Sequence, residues 1–157
     1  MTDFPYILDD IDRALIGALR AGGRITNTQL AAEVGLARGT VQTRLARLEE
    51  RGVILSWGPE LDAAATDYDV TAFVTLSIAQ GAHDKVVAGL ASIPEVIEVH
   101  VVTGGGDLLC RVVATSNDHL HELVQRIVAI AGVLRSESQL ALHTSVQRSL
   151  ADLIGQP

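Results

Sequence analysis

Residues 34–54, VGLARGTVQTRLARLEERGVI, decide the fold of the N-terminal part of this chain. Their apolar side chains recur at spacings of three and four, which predicts an amphipathic helix from Arg38 to Arg51 that is stopped by Gly52. The same stretch carries four arginines: Arg38, Arg44, Arg47 and Arg51. The whole chain has 12 Lys+Arg against 19 Asp+Glu and a formal net charge of −7. The stretch is therefore a local basic surface in an acidic protein.

The composition is that of a globular protein. A chain of 157 residues suits one ordinary domain or two small ones, and a hydrophobic content of 48% is ample for a packed core. Its apolar runs are shorter than the roughly 18 to 20 residues of a membrane span, and its acidic start, MTDFPYILDD, is unlike a secretory signal. We expect a cytoplasmic protein with no membrane partner. The single cysteine, Cys110, excludes an internal disulfide and a zinc finger and is expected to be buried.

Two further helices are predicted upstream of the arginine-rich one. In LDDIDRALIGALRAGG, residues 8–23, the apolar spacing predicts a helix that is capped by Asp9 and stopped by the two glycines at its end. In TNTQLAAEVG, residues 26–35, Thr26 and Gln29 match a capping box, and the last glycine ends a short helix. The order helix, short turn, helix predicts a helix-turn-helix unit of three helices.

The arginine-rich helix offers hydrogen-bond donors beside its apolar stripe, as judged from a rotation of about 100° per residue. A helix of this kind, presented after a tight turn, suits the DNA major groove, where arginine grips guanine edges or phosphates. The free N–H groups of TNTQ could add phosphate contacts. A solvated helix face whose arginines pair with Glu49 and Glu50 is the competing explanation. The candidate DNA-binding residues are Arg24, Arg38, Thr40, Gln42, Thr43, Arg44 and Arg47.

The remainder of the chain alternates between strand and helix patterns. GVILSWGPEL, residues 52–61, reads as a short strand, with Trp57 as a packing residue, and continues into a linker. Beyond the linker the order is βαββαβ, which is typical of a ferredoxin-like antiparallel sheet with two helices on one face. The predicted strands are 70–78, 96–103, 107–115 and 138–144, the predicted helices are 83–93 and 118–132, and residues 146–154 are weakly helical.

These patterns predict an α+β protein of two domains. The predicted parts are a winged helix-turn-helix domain at 1–54, a strand and linker at 55–69 and a ferredoxin-like domain at 70–157. Several strands have Val, Leu or Phe on both sides, so we expect the bare face of the sheet to be strongly apolar. Because an exposed apolar face of that size usually marks an assembly surface, we expect a homodimer.

Two runs closely resemble the leucine-responsive and asparagine-responsive regulators, the Lrp/AsnC family. The first run is residues 8–54. The second has two parts, VTGGGDLLCRVVATS at 102–116 and LVQRIVAIAGVLRSESQLAL at 123–142. The resemblance covers nearly the whole chain in the right order. It implies a bacterial or archaeal transcription regulator that dimerises through the ferredoxin-like domain, often as an octamer of four dimers, and commonly senses an amino acid. A two-fold dimer in turn favours an imperfect palindrome as the DNA operator.

The resemblance also assigns residues to a recognition helix and an effector site. The family's recognition helix falls on Arg38 to Arg51. Its effector loop, T-G-x-x-D, and its hydroxyl residues near the last strand fall on Thr103, Gly104, Gly105, Gly106, Asp107, Ser136 and Ser138. Ala37 stands where the family usually has a Ser or Thr N-cap, which costs about 1 kcal/mol of helix stability. The glycines of the loop could bind a carboxylate through backbone N–H groups, and Asp107 could accept from an ammonium.

Nothing in the sequence predicts a catalytic residue, a metal site or a cofactor. The five histidines are not at metal-ligand spacing. One enzymatic alternative is a sirohaem-decarboxylase-like protein, since those enzymes look similar across this architecture and use histidines in the effector domain, where this chain has His100. A third possibility is an assembly or amino-acid-binding module without DNA binding. The basic, donor-rich helix argues against both alternatives.

Overall fold

The computed structural model describes residues 6–155. The first five residues of the predicted DNA-binding domain and the last two of the predicted ferredoxin-like domain lie outside this range. The chain forms two compact units. One contains the residues up to Pro59 together with those from Val146 onward, and the other spans Glu60–Ser145.

Three helices build the N-terminal part of the first unit: α1 (Asp10–Gly22), α2 (Asn27–Glu33) and α3 (Arg38–Glu50). Asp9 and Thr26 cap the first two in reciprocal capping boxes, as their sequences predict. Ala37 gives α3 no side-chain cap, also as expected. The helices enclose a core of Leu15, Ile16, Ala18, Leu30, Ala31, Val41, Leu45 and Leu48. The apolar stripe of α3 thus faces inward, and the predicted helix-turn-helix arrangement is confirmed.

The chain after α3 does not form the predicted strand. Gly52 adopts a φ of +67°, and the N–H groups of Val53 and Ile54 both donate to the carbonyl of Leu48, at 2.9 and 3.2 Å. The segment therefore folds back onto the end of α3. A strand needs a neighbour to pair with, and this unit has no other strand within the part of the chain that the structure describes. Leu55 is 90% exposed as a result.

The C-terminal helix α6 (Leu150–Ile154) packs with α1, not with the ferredoxin-like unit to which the predicted boundaries assigned it. Ala151 and Ile154 contact the N-terminal core. The Nε of Arg20 donates to Oδ1 of Asp152 at 2.6 Å, and this guanidinium lowers the pKa of Asp152 to about 2. The two units divide between Pro59 and Glu60, inside the predicted strand and linker at 55–69.

The second unit has the predicted βαββαβ order. Its elements are β1 (Val70–Ile78), α4 (His83–Ala91), β2 (Val96–Val101), β3 (Leu108–Ala114), α5 (Asn117–Val128) and β4 (Val133–Ala141). The strands form one antiparallel sheet in the order β2-β3-β1-β4. The helices cover one face, where the core residues are Val74, Leu76, Val86, Leu90, Ile93, Leu108, Cys110, Val112, Ala114, Leu123 and Ile127. Cys110 is buried as predicted, and desolvation raises its pKa to about 11.

The last strand begins five residues earlier than its sequence pattern predicts, at Val133 instead of Ser138. The turn before it passes through Gly132, whose φ of +110° favours glycine, and α5 has already ended at Val128. A register shift at Ile78 then accommodates Val133 at the start of the pairing with β1. Residues 135–139 are all polar and carry no apolar alternation, so the strand pattern became visible in the sequence only near the end of the strand.

The face of the sheet that the helices leave uncovered is mixed, so the prediction of a strongly apolar face is wrong. Phe73, Leu109 and Val113 lie on it. So do the polar residues Thr71, Thr75, Ser77, Glu98, His100, Arg111, Arg135, Glu137 and Gln139, as the strand register shows. The apolar residues on the second side of the strands are therefore interrupted by charges, among them the ion pair of Arg111 and Glu98 at 3.2 Å.

Candidate DNA-binding surface and ligand-binding loop

The outer side of α3 exposes most of the predicted DNA-binding residues. These are Arg38, Thr40, Gln42, Thr43 and Arg47, with Arg24 exposed just before α2. Within residues 6–155, Arg24 and Arg38 make no ion pair or hydrogen bond through their side chains. The hydroxyl of Thr43 donates to the carbonyl of Gly39 at 3.0 Å, which leaves its lone pairs free to accept. The helix thus presents several donors and acceptors outside its apolar stripe.

Arg44 does not belong to this exposed set, which corrects the sequence prediction. Its guanidinium donates to Oδ2 of Asp9 at 2.6 Å and to Oδ1 of Asp12 at 2.8 Å. Asp12 is almost fully buried, at 1% exposure, and only 23% of the Arg44 side chain is exposed. The hydrogen bond from Arg44 lowers the pKa of Asp9, and the two carboxylates raise the pKa of Arg44. Arg44 therefore joins α3 to α1 and is withdrawn from the surface.

Arg47 lies one turn further along α3 and remains exposed. Its guanidinium carbon stands 4.9 Å from the centre of the Tyr6 ring, a cation–π contact. The hydroxyl of Tyr6 donates to Oδ2 of Asp12 at 2.7 Å, and this hydrogen bond raises the pKa of Tyr6. Tyr6 is not among the residues predicted from the sequence. It precedes α1 and belongs to no periodic pattern, so the sequence indicates a role for it only by placing an aromatic residue close to Asp9 and Asp12.

The competing explanation for the arginines of α3, pairing with Glu49 and Glu50, is not what the structure shows for Arg44 or Arg47. Glu49 instead accepts a hydrogen bond from the indole N–H of Trp57. Trp57 is 56% exposed and is not the packing residue that its predicted strand position implied. Its exposure follows from the missing strand, because within the described residues of this unit no other strand lies beside Trp57 to cover its ring.

The loop between β2 and β3 contains Thr103 to Asp107. Asp107 fastens it to the end of β1, since its backbone N–H donates to Leu76 at 2.8 Å and its Oδ2 accepts from the N–H of Ile78 at 2.8 Å. Gly106 lies against β1 so closely that a Cβ would stand 2.4 Å from Cγ2 of Thr75. Thr103, Gly104 and Gly105 are exposed, and Gly104 has a φ of +111°. One carboxylate oxygen of Asp107 remains available to a ligand.

A concavity of about 280 Å³ opens beside this loop. Its lining residues are Ile78, Ala79, Gln80, Gly81, His83, Val101, Val102 and Asp107. Asp107 is the one predicted effector residue among them. The sequence analysis missed Gln80 and His83, which lie on the connection from β1 to α4 and carried no signal beyond the turn glycine between them. The lining combines apolar walls with a carboxylate, an amide and an imidazole.

The two predicted serines lie on the other side of β1 from the loop. Ser136 pairs with Leu76 and Ser138 with Val74 along the β4 edge strand. Leu76 also accepts the backbone hydrogen bond of Asp107, so the sheet brings Ser136 and the loop to the same end of β1. Neither serine, nor any residue from Thr103 to Gly106, lines the concavity. The predicted effector residues thus surround one strand end without forming a single pocket in one chain.

His100, the residue on which the enzymatic alternative depends, faces away from this concavity. It lies on the uncovered face of the sheet, with Nε2 at 3.3 Å from Oε2 of Glu98. Among the described residues no group of three His, Cys, Asp or Glu side chains is arranged to hold a metal ion. A search of the same residues finds no helix that is long and apolar enough to cross a membrane.

A helix-turn-helix unit with exposed arginines on its last helix, next in sequence to a ferredoxin-like unit with a ligand-sized concavity, defines the class of two-domain DNA-binding transcription regulators. Comparison with protein families agrees with this class. Residues 8–54 match the winged helix-turn-helix DNA-binding model, and residues 71–151 match the Lrp/AsnC ligand binding domain. The chain belongs to the Lrp/AsnC family of transcriptional regulators.

Individual relatives are similar over most of their length. The transcriptional regulator LrpA of Mycobacterium tuberculosis is 36% identical over 138 residues, which are 87% of this chain and 91% of that protein. Regulatory protein AsnC of Escherichia coli K12 is 28% identical over 148 residues, 92% of this chain and 97% of that protein. The solved structure of E. coli AsnC superposes with a TM-score of 0.83 at 25% identity and covers 93% of this chain and 99% of that one.

A second solved structure is that of a feast or famine regulatory protein from M. tuberculosis complexed with L-methionine. It superposes with a TM-score of 0.80 at 35% identity and covers 90% of this chain and 96% of that one.

Replacing Arg44 should destabilise the first unit. Arg44→Ala leaves the buried carboxylate of Asp12 without its charged donor, so we expect the free energy of unfolding to fall by about 1–3 kcal/mol. Arg38→Ala is the matched control, because it removes an exposed arginine from the same helix and should change stability by less than about 0.5 kcal/mol. Urea denaturation followed by circular dichroism measures both. Equal stability of the two variants would contradict the structural role of Arg44.

Replacing Gly106 should disturb the loop and the end of β1. In Gly106→Ala the new Cβ would stand 2.4 Å from Cγ2 of Thr75 and 3.1 Å from the carbonyl oxygen of Leu76, so the Thr75 side chain or the loop must shift. We expect a loss of about 1–3 kcal/mol in the free energy of unfolding. Gly105→Ala is the control, since a Cβ there meets no atom within 4 Å. A Gly106→Ala variant as stable as Gly105→Ala would show that the loop does not pack against β1 in this way.

Proposed function

We propose that this regulator reads its operator with α3 and responds to an amino acid or a related small metabolite held at the loop from Thr103 to Asp107. The proposed DNA contact rests on one observation: the arginines of α3 differ in their exposure and in their partners. Arg44 is committed to α1, whereas Arg38 and Arg47 stay exposed on the same helix. Exposed arginines and hydroxyl or amide side chains on a recognition helix suit phosphates and base edges in the major groove.

The proposed DNA surface consists of Arg24, Arg38, Thr40, Gln42, Thr43 and Arg47. Arg24 lies two residues before Thr26, the N-cap of α2. The first backbone N–H groups of a helix favour anions, so a phosphate near Arg24 would also meet this helix start. Arg44 is left out because its Nη1 donates to both Asp9 and Asp12, which holds the guanidinium against α1. The surface is therefore smaller than the sequence predicts, and its charge comes from three arginines.

Three features support an amino-acid effector. The family domain matched by residues 71–151 is a ligand-binding domain. A relative of 35% identity was solved in complex with L-methionine. In this chain, Asp107 has one free carboxylate oxygen for an ammonium, and the exposed backbone of Gly104 and Gly105 can donate to a carboxylate. The concavity beside Asp107 has apolar walls at Ile78, Val101 and Val102 that suit a small side chain.

We propose a homodimer as the basic assembly, with an octamer of four such dimers as the alternative. A two-fold dimer fits an operator that is an imperfect palindrome, because operator symmetry mirrors protein symmetry. The protein would work in the cytoplasm, where bacterial or archaeal DNA is found. We propose no catalytic role. The histidine that an enzymatic alternative requires, His100, is paired with Glu98 away from the concavity, and the relatives named above are regulators.

The DNA contact is tested with duplexes selected by the wild-type protein from a library of random sequence. Arg38→Ala and Arg47→Ala should each weaken binding and lower the slope of log affinity against log salt by about one, since each removes one phosphate contact. Arg13→Ala removes the same charge from the exposed side of α1 and should leave the slope unchanged. If the wild-type protein selects no sequence, or if all three variants bind equally, α3 is not the DNA-binding surface.

The effector site is tested by thermal shift across the amino acids. Asp107→Ala would also remove the hydrogen bond to Ile78, so Asp107→Asn is the sharper variant: it keeps an oxygen acceptor and removes the charge. We expect an amino acid that stabilises the wild type to lose about tenfold or more in affinity for Asp107→Asn, the size of a lost charge-assisted bond. Asp118→Asn, an exposed carboxylate on α5, is the control. Equal stabilisation of all three proteins would exclude Asp107 as the ammonium partner.

A further inference from the structure

Tyr6 contacts both α1 and α3 of the DNA-binding unit. Its hydroxyl donates to Oδ2 of Asp12 at 2.7 Å, and the other oxygen of that carboxylate accepts from Arg44 at 2.8 Å. Asp12 is buried at 1% exposure and also anchors the start of α1. The Tyr6 ring is therefore held by a carboxylate that has little freedom to move.

Arg47 lies over this ring, with its guanidinium carbon 4.9 Å from the ring centre. An arginine side chain is long, and it loses rotamer freedom when it grips a phosphate or a base. A guanidinium that already stacks on an aromatic face keeps its five donors and loses less freedom on binding. Arg44 and Arg47 thus meet the same buried carboxylate in different ways, one directly and one through Tyr6.

We infer that Tyr6 is a positioning residue for Arg47, because its ring, anchored on Asp12, holds the guanidinium in place for DNA. This inference rests on the proposed function, in which Arg47 contacts DNA. It assigns a role to a residue that lies ahead of the helix-turn-helix and outside the recognition helix. Tyr6 itself need not touch DNA, since it acts through the side chain of Arg47.

The first test needs no DNA. Stacking on an aromatic ring shifts the side-chain proton resonances of Arg47 upfield in the NMR spectrum. Tyr6→Leu should abolish this shift and Tyr6→Phe should retain most of it, because phenylalanine keeps the ring and loses the hydroxyl. Arg38, on the same helix, supplies the reference resonances. An Arg47 spectrum that is unchanged in Tyr6→Leu would overturn the inference whether or not the protein binds DNA.

The second test is a double-mutant cycle on the selected duplexes, or on double-stranded DNA of random sequence. Tyr6→Leu should weaken binding about two- to fivefold, the effect of losing an exposed cation–π contact. It should have no further effect in an Arg47→Ala background and its full effect in an Arg38→Ala background. Circular dichroism establishes that each variant is folded. Should Tyr6→Leu perturb the fold, Tyr6→Met, which also removes the aromatic ring, replaces it with the same expected effect.

The cycle separates failure of the positioning role from failure of the proposed function. A Tyr6→Leu effect of equal size with and without Arg47 would show a general structural role and overturn the inference. So would a null effect in a protein whose DNA binding depends on Arg47. If neither Arg38→Ala nor Arg47→Ala weakens DNA binding, the proposed function and the inference are both overturned.

Discussion

The ion pairs of Arg44 with Asp9 and Asp12 are the constraint on which the DNA-binding unit depends. A carboxylate as buried as Asp12 is costly unless a charged partner satisfies it, and Arg44 is that partner. The pairs join the start of α1 to the middle of α3, at 2.6 and 2.8 Å. Apolar packing alone leaves a helix free to slide or rotate by small amounts, whereas two directed hydrogen bonds fix its register. The orientation of every other side chain on α3 follows from that register.

The ferredoxin-like unit uses a carboxylate in a comparable way. Asp107 ends the β2–β3 loop and binds the backbone of Leu76 and Ile78, so the loop is closed on the last residues of β1. The close approach of Gly106 to Thr75 depends on the same closure. A carboxylate with one oxygen held by the backbone is oriented in advance, so at the proposed effector site its second oxygen would meet a ligand without a search among rotamers. In both units an acidic residue makes a structural bond beside the groups that we propose as contacts for a partner.

The sequence predicted the features that depend on neighbouring residues, namely helix starts and the extent of β1. Asp9, Thr26 and Gln29 mark helix starts because their side chains satisfy backbone N–H groups within a few residues, and β1 was predicted from its first to its last residue. The errors concern pairing over long distances. The segment after α3 has the composition of a strand but no neighbour to pair with. The polar middle of β4, residues 135–139, forms a strand because β1 lies beside it.

The same limit applies to the candidate DNA-binding surface and to the concavity beside Asp107. Helix periodicity identified the exposed side of α3, but it could not separate Arg44 from Arg47, which differ only in what α1 brings close to them. Tyr6 carries no pattern at all, and its role depends on a carboxylate six residues later in the chain folding back toward it. Gln80 and His83 likewise line the concavity only because the chain from β1 to α4 passes beside it. A contact between elements is decided by packing, and spacing along one element cannot reveal it.

The basic helix α3 belongs to the less acidic part of the chain. The first sixty residues hold seven arginines and eight acidic residues, a net of −1, and the remaining chain holds five basic and eleven acidic residues, a net of −6. A DNA phosphate responds mainly to charges within about a Debye length, roughly 8 Å at physiological salt, because more distant charges are largely screened in water. Because Arg44 already neutralises part of the acidic start of α1, Arg24, Arg38 and Arg47 supply the positive charge of the proposed DNA surface, and the excess of acid elsewhere in the chain favours solubility.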